Sequence, residues 1–180
     1  SWGQEAIPQY RLVIPADEPV SRQIRQLRIQ WESIFGNRAA SEKPPSITLA
    51  CFTAREEMEG TLMRWIQRIS DQQACFPVVL NNVSAIPPEI IYIRVQDASP
   101  FSKLTGMLRS LGDFVTDSRV FDRPFIKLGC MPDDAPREAV MQYTHQAFHA
   151  AFMARKLILF RKEGDQWQVV SQFPFRETAA

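Results

Sequence analysis

A short segment that occurs twice is the feature that most constrains how this chain can fold. Residues 45–51 (PSITLAC) and residues 124–130 (PFIKLGC) share the pattern P-x-I-x-L-small-C. The residues after the prolines, at positions 46 and 125, are 79 positions apart, and each copy follows a proline-bearing loop and precedes a helical pattern. Such a repeat indicates a duplicated unit. We therefore expect two similar halves that each contribute one equivalent strand.

The strand period of two assigns a direction to the side chains of both copies. In each copy the isoleucine, the leucine and the cysteine share the core face, so that Cys51 and Cys130 are predicted to be buried thiols. The residues between them point away from the helices, and two such strands side by side would line a shared groove. The groove residues are Ser46, Thr48 and Ala50 in the first copy and Phe125, Lys127 and Gly129 in the second.

The rest of the chain alternates between strand and helix patterns. Apolar runs predict strands over Tyr10–Ile14, Ser46–Phe52, Phe76–Leu80, Ile90–Val95, Phe125–Cys130, Leu157–Arg161 and Trp167–Phe173, with a turn at Pro87-Pro88. Apolar residues at helical spacing predict helices over Asp17–Asn37, Arg55–Gln73, Pro100–Val115 and Ala135–His145. Asp17 is the expected N-cap of the first helix, and Gly36-Asn37 is its expected stop. This order favours an antiparallel α+β fold within one domain spanning residues 1–180.

Composition and charge argue against several function classes. The formal net charge is +1, so no overall field favours nucleic acid or membrane, and affinity for a nucleotide must come from a local patch. No apolar run approaches the ~20 residues that span a bilayer, and residues 1–10 do not resemble a signal peptide. The three cysteines form neither a CxxC pair nor a zinc spacing, which indicates reduced thiols. We therefore expect a cytoplasmic protein that does not bind a membrane.

In their order, these segments resemble the 2H phosphoesterases, which include bacterial 2′-5′ RNA ligases and RNA 2′,3′-cyclic phosphodiesterases. The family signature is two H-x-T/S strands, one per lobe, roughly this far apart. Residues 46–49 (SITL) resemble the first, normally PPHITL, and residues 123–129 (RPFIKLG) resemble the second, normally HPHITLG. The opening YRLVIPADEPVSRQIRQL, the block at 76–95 and the ending LILFRKEGDQWQVVSQFPF also resemble family segments.

The resemblance implies a specific architecture. Two pseudo-symmetric lobes, each an antiparallel sheet with helices on its outer face, would surround a central cleft. It also implies a strand at Ala147–Met153, where the apolar pattern alone would extend the fourth helix.

The resemblance also identifies what this chain lacks. In the family, two histidines face each other across the cleft and transfer protons, because an imidazole with a pKa near ~6.5 both accepts and donates them. Here Ser46 and Phe125 stand in the two histidine positions. Thr48 remains as a phosphate ligand, and Lys127, in place of the second hydroxyl, can bind phosphate as a cation. We expect no catalytic residues at these vestigial motif positions.

Three further residues are candidates for the same groove. Alternation places Tyr92 and Arg94 on the groove side of their strand, and the same rule applies to Arg11. Such a basic, aromatic-edged groove suits a phosphate and a base, although the same residues would also suit a solvated sheet face. The partner that we expect is a phosphate-containing small molecule or an RNA end. The predicted ligand-binding residues are Thr48, Lys127, Tyr92, Arg94, Ser46 and Arg11.

The only two histidines, His145 and His149, do not restore the motif, because neither begins an H-x-T/S sequence. On one helix they would lie four residues apart and could bind a metal. The resemblance instead assigns one to a helix end and the other to a strand, and no carboxylate cluster accompanies them. We expect neither a metal site nor a cofactor.

Three functions remain open at this stage. The leading hypothesis is a binding module that holds a phosphate-bearing ligand without turning it over. The second is residual or altered phosphodiesterase or RNA-ligase-type activity that depends on Lys127. The third is a structural or protein-partner role, with the cleft filled by Phe125.

Overall fold

The computed structural model describes residues 7–36, 44–86, 90–131 and 133–177. The strands in these ranges are β1 (Gln9–Pro15), β2 (Ser46–Thr53), β3 (Phe76–Ile86), β4 (Ile90–Val95), β5 (Thr116–Val120), β6 (Phe125–Cys130), β7 (His149–Ala154), β8 (Lys156–Glu163) and β9 (Gln166–Pro174). The α-helices are α1 (Glu18–Phe35), α2 (Glu59–Asp71), α3 (Ser102–Leu108) and α4 (Arg137–Thr144). Among the described residues, no helix is long and apolar enough to cross a membrane.

The strands form one antiparallel sheet in the order β7-β3-β4-β6-β2-β1-β8-β9, with β5 paired to the second half of β2. Two halves of this sheet meet where β6 pairs with β2. Although β7 and β8 are six places apart in the sheet order, only Arg155 separates them in the chain. The sheet is therefore strongly curled around a cleft, as expected for the predicted two-lobed α+β fold.

The helices cover the face of the sheet opposite the cleft and are partly exchanged between the lobes. One lobe contains β7, β3, β4 and β6, and the other contains β2, β1, β8 and β9. Helix α1 follows β1 of the second lobe but packs against β6 and β7 of the first. Helix α4 packs against β3, also in the first lobe. Helix α2 packs against β9 and α3. Apolar residues from both lobes form one continuous core cluster, so each lobe is stabilised by contacts with the other.

The predicted N-cap of α1 and the stop at Gly36 are confirmed, whereas Asn37 lies outside the described residues. The Asp17 carboxylate accepts a hydrogen bond from the Val20 amide at 3.0 Å, and Gly36 has a φ of 75° at the C-cap. The apolar stripe that predicted this helix is buried only in part: Val20, Ile24 and Trp31 are buried, whereas Leu27 is only half-buried. Ile34 is exposed, and the charged side chain of Arg28 takes a place on the buried face.

The third helix and two of the strands test the predicted elements further. The helix predicted over Pro100–Val115 is α-helical only between Ser102 and Leu108, with 3₁₀ turns on either side, and glycines at 106 and 112 lower its helix propensity. Strand β5 was not predicted, because four of its five residues are exposed and show no apolar alternation. The strand implied by the family resemblance is confirmed as β7, whereas the Pro87-Pro88 turn lies outside the described residues.

Tyr143 joins α4 to α1 and provides a test of that packing. Its hydroxyl donates to the Leu27 carbonyl at 2.7 Å, its ring meets Trp31 edge-on at 4.9 Å, and burial raises the pKa of the phenol. Tyr143→Phe should lower the free energy of unfolding by about 1 kcal/mol, because the hydrogen bond between the phenol and the Leu27 carbonyl is lost. Urea denaturation measures the change, and Tyr92→Phe, at a half-buried position on the cleft face, should change it by less than about 0.5 kcal/mol.

Candidate functional site

The two repeated segments lie side by side at the centre of the sheet. β2 and β6 pair in antiparallel fashion with Ile47 opposite Ile126. These isoleucines are equivalent positions of the repeat, so a pseudo-twofold axis passes between them. Ile47, Leu49, Ile126 and Leu128 are all 0% exposed, as predicted for the core face.

The residues between them form a compact group on the cleft face. The antiparallel register places Ser46 across from Lys127 and Thr48 across from Phe125. On the other side of β6, Tyr92 of β4 pairs with Lys127, and Arg94 pairs with Phe125. We call this group the motif array: Ser46 and Thr48 on β2, Lys127 and Phe125 on β6, and Tyr92 and Arg94 on β4.

The motif array combines exposed cations with partly covered hydroxyls. Lys127 and Arg94 are exposed, whereas Ser46 and Thr48 are half-buried. Phe125 is also half-buried and lies 5.2 Å from the Tyr92 ring at an angle of 58°. The phenylalanine therefore packs beside Tyr92, and the lysine next to it stays accessible to solvent.

The cations of the array are available to an anion. Within the described ranges, neither Lys127 nor Arg94 has a carboxylate oxygen within 4.0 Å; the ion pairs found there involve other arginines. Thr48 and Ser46 lie on the adjacent strand and can supply hydroxyl donors. Two cations with neighbouring hydroxyls form a donor set that suits the oxygens of a phosphate.

Helix α1 supports the array from the core side through a buried arginine. Arg28 is only 4% exposed, and its guanidinium donates to the carbonyl oxygen of Lys127 at 2.8 Å. Burial lowers the pKa of Arg28 to about 10, so it remains charged at neutral pH. The contact fixes the backbone that carries the Lys127 side chain. Sequence reasoning missed this role, although a charged residue four positions after Ile24 in an apolar stripe is a detectable signal.

The prediction that Cys51 and Cys130 are buried is wrong. Leu49 in β2 and Leu128 in β6 are the extra residues of two equivalent β-bulges, at which the pairing register shifts by one. A bulge reverses the side-chain directions that follow it. Cys51 is therefore half-buried on the cleft face and Cys130 is exposed. Positions 50 and 129 are buried instead, although both were predicted to face the groove.

Arg11 lies on the cleft face but outside the motif array. It is paired with Cys51 on β2, beyond the bulge. Its guanidinium carbon lies 4.5 Å from the centre of the Trp167 ring on β9, at the end of the sheet where β8 and β9 are connected. Register alone cannot show this direction, because it depends on the rotamer of a long side chain.

The two histidines lie away from the motif array. His145 follows α4 and its Nδ1 atom is 2.5 Å from the Met141 carbonyl oxygen. His149 opens β7, opposite Asn81 on β3. Since β7 is three strand spacings from β6, the separation along the sheet is about 14 Å. Neither imidazole therefore belongs to the motif array.

Of two cavities in the described part of the chain, one adjoins the motif array and the other does not. One of about 260 Å³ is bordered by Pro15, which pairs with Ser46, and by Met153, Lys156 and Ile158. It adjoins the array at the Ser46 end. The other, of about 320 Å³, lies between α4 and the strands, has a mainly apolar lining that includes Met131 and Met141, and touches no array residue.

Comparison with known proteins identifies the fold and the family. The chain is similar to TT0787 of Thermus thermophilus, with 16% identity over 95% of this chain and 100% of that one and a TM-score of 0.75. It is also similar to Escherichia coli LigT, with 18% identity, TM-scores of 0.69, and coverage of 93% of this chain and 98% of LigT in the NADP+ complex and of 95% and 99% in the phosphate complex. No curated protein sequence matches significantly.

These structural likenesses establish the fold, since their sequence identities are low. The family follows from sequence: the profile of the 2′-5′ RNA ligase superfamily matches residues 16–166, which include both repeated strands and all but one of the predicted ligand-binding residues. The chain therefore belongs to the 2′-5′ RNA ligase superfamily.

Proposed function

We propose that the protein binds a phosphate-bearing ligand, such as a nucleotide or an RNA end, in the motif array and does not turn it over. The observation that carries the proposal is the group formed by Lys127, Arg94 and Thr48. In the part of the chain that the structure describes, both cations lack a carboxylate partner, and the hydroxyl lies on the neighbouring strand. Crystal structures of E. coli LigT with phosphate, 3′-AMP and ATP support a ligand of this class.

The absence of proton-transfer groups in the array supports binding without turnover. The positions that carry histidine in the family hold Ser46 and Phe125. A serine hydroxyl needs its own base, and a phenyl ring has no exchangeable proton. General acid and general base catalysis each contribute about 10²–10⁴-fold in rate, so the loss of both leaves little of the family's reaction.

The exposure of the cations is evidence against a purely structural role in which Phe125 fills the cleft. If Phe125 filled the cleft, the neighbouring lysine would be covered, but Lys127 is exposed and Phe125 leans on Tyr92. Residual phosphodiesterase or RNA-ligase-type activity is the remaining alternative. It requires turnover of a 2′,3′-cyclic nucleotide that depends on Lys127.

Substitution of Lys127 tests the proposed site. Lys127→Ala should weaken the binding of 3′-AMP and of inorganic phosphate by about 10- to 100-fold, because a hydrogen bond to a charged group contributes about 1.5–3 kcal/mol. Isothermal titration calorimetry measures both affinities.

Lys103→Ala is the matched control for this change. Lys103 is an exposed lysine on α3 whose ammonium group donates to the Gln72 carbonyl, so its removal changes the net charge equally without touching the array. The control should bind both probes as the wild type does. Wild-type dissociation constants above about 1 mM for both probes, or equal losses in the two variants, would contradict the proposal.

A further inference from the structure

A second surface on the cleft face lies beyond the bulge of β2. Across four neighbouring strand pairs, the register aligns Arg119 on β5, Cys51 on β2, Arg11 on β1, Phe160 on β8 and Val169 on β9. Residues directly opposite each other in antiparallel strands point to the same face, so all five side chains face the cleft. Together with Trp167, whose ring lies under the Arg11 guanidinium, we call this row the terminal surface.

The arginines of the terminal surface are not neutralised. Among the described residues, neither Arg11 nor Arg119 has a carboxylate within 4.0 Å, and the Nε atom of Arg11 is buried without an acceptor. The Arg11 guanidinium is held against an indole ring, a geometry that keeps its remaining donors in a fixed plane. Such a combination of arginine and aromatic side chains is typical of surfaces that bind phosphates and stack bases.

The charge distribution over the sheet favours a polyanion. The strands described by the structure carry seven basic side chains and two acidic ones, although the whole chain has a net charge of only +1. Glu163 is paired with Arg161, which also pairs with Glu59 of α2, so six basic side chains and one acidic side chain of the strands remain. The sheet is therefore locally basic, while the compensating acids lie on other elements.

The terminal surface is too far from the motif array for one phosphate to contact both. Thr48 and Cys51 share the cleft face of β2 and are three residues apart, which corresponds to about 10 Å. Arg11 also extends toward Trp167, which pairs with Lys162 near the β8–β9 turn, and thus away from Thr48. A ligand that uses both surfaces must carry at least two phosphate-bearing units.

We propose that the terminal surface binds the nucleotides next to the phosphate held by the motif array, so that the ligand is a single-stranded oligonucleotide and not a mononucleotide. This rests on the proposed function, since it takes Lys127 and Thr48 as the first phosphate site. Arg119 and Arg11 contact the following phosphate groups, and Trp167 with Phe160 provides the stacking surface for a base. The terminal surface therefore sets the length of the ligand.

Calorimetry with 3′-AMP and with a 3′-phosphorylated RNA tetranucleotide tests the proposal. The tetranucleotide should bind at least about 10-fold more tightly than 3′-AMP, and Trp167→Ala should remove about 5- to 100-fold of tetranucleotide affinity while leaving 3′-AMP binding unchanged. Arg119→Ser, at an exposed position, should lower the slope of log K against log salt by about 0.7 for the tetranucleotide.

Alkylation of the wild-type protein gives a second readout that needs no variant. Cys51 lies between Arg119 and Arg11, so the bound tetranucleotide should slow its alkylation, read by peptide mass spectrometry. Cys75, which is also half-buried but lies just before β3, should react at an unchanged rate.

The outcomes separate the two proposals. Equal affinity for 3′-AMP and the tetranucleotide, both reduced by Lys127→Ala, would overturn the terminal surface and leave the motif array in place. If Lys127→Ala binds both 3′-AMP and the tetranucleotide as tightly as the wild type does, the proposed function itself is overturned. A polyglutamate peptide could instead bind the wild type as tightly as the tetranucleotide does and lose affinity in Trp167→Ala. That result would identify an acidic protein segment as the partner and overturn the proposal of an oligonucleotide ligand.

Discussion

If the motif array has lost its proton-transfer groups as proposed, the combined changes Ser46→His, Phe125→His and Lys127→Thr are expected to create measurable hydrolysis of 2′,3′-cyclic AMP. The wild type should not exceed the uncatalysed rate, whereas the triple variant should exceed the wild type by at least about 10²-fold, the lower bound for one general acid or base. The pseudo-twofold pairing of Ile47 with Ile126 places the two substituted positions symmetrically across the axis, each opposite a threonine position of the other strand. Product formation is measured by chromatography over a pH series.

The single variant Ser46→His is the matched control, because it supplies one imidazole without its counterpart and should stay near the wild-type rate. The triple variant should also show a bell-shaped pH profile, since one imidazole must be neutral and the other protonated. Turnover by the wild type that disappears in Lys127→Ala would instead support the residual-activity hypothesis and contradict a pure binding role.

Truncation of the buried Trp31 should cause the largest loss of stability. Its side chain is 0% exposed and contacts the rings of Phe35 and Tyr143, so it fills the contact between α1 and α4. Trp31→Ala should lower the free energy of unfolding by about 3–5 kcal/mol, the usual cost of removing a large aromatic group from a core. Because domains are stable by only about 5–15 kcal/mol, this is a large share of the total free energy of unfolding. The midpoint of urea denaturation measures this.

Trp167→Ala is the stability control for that change, since Trp167 is only half-buried on β9. It should lower the free energy of unfolding by much less than Trp31→Ala. In addition, Trp31→Phe should retain most of the stability, because a smaller ring still fills part of the contact. Equal effects of Trp31→Ala and Trp167→Ala would show that α1 is not anchored through Trp31.

The link between α1 and β6 connects this core to the ligand site. Arg28 and Trp31 lie on the same buried face of α1, and Arg28 donates to the carbonyl of Lys127. Loosening α1 should therefore also disturb the strand that carries Lys127. A Trp31→Ala protein that is still folded at low temperature should bind 3′-AMP more weakly than the wild type.

Several features could be read from local sequence because their causes are local. The N-cap at Asp17 and the left-handed Gly36 depend on neighbouring backbone groups only, and both were identified correctly. The repeat and its apolar alternation gave the core residues of β2 and β6, including Ile47 and Ile126. Residue identity alone established that positions 46 and 125 carry no imidazole.

Other features depend on contacts between distant parts of the chain. The bulges at Leu49 and Leu128 arise from pairing with β1 and β4, so a strict period of two wrongly predicted buried thiols at Cys51 and Cys130. Strand β5 has few apolar residues and forms only because β2 offers it an edge, and this pairing places Arg119 beside Cys51. Neither effect leaves a pattern within a short window of residues.

The sequence by itself determined the types of most elements, the duplicated strand and the chemistry present at each motif position, because these depend on residue identity and on periods of a few residues. The tertiary structure decided which strands became neighbours, where alternation was interrupted, and to which lobe α1 contributed Arg28. Pairing across long chain separations is selected by the joint packing of the whole core. The sequence therefore predicted the residues of the motif array, whereas their register and the whole terminal surface required the folded chain.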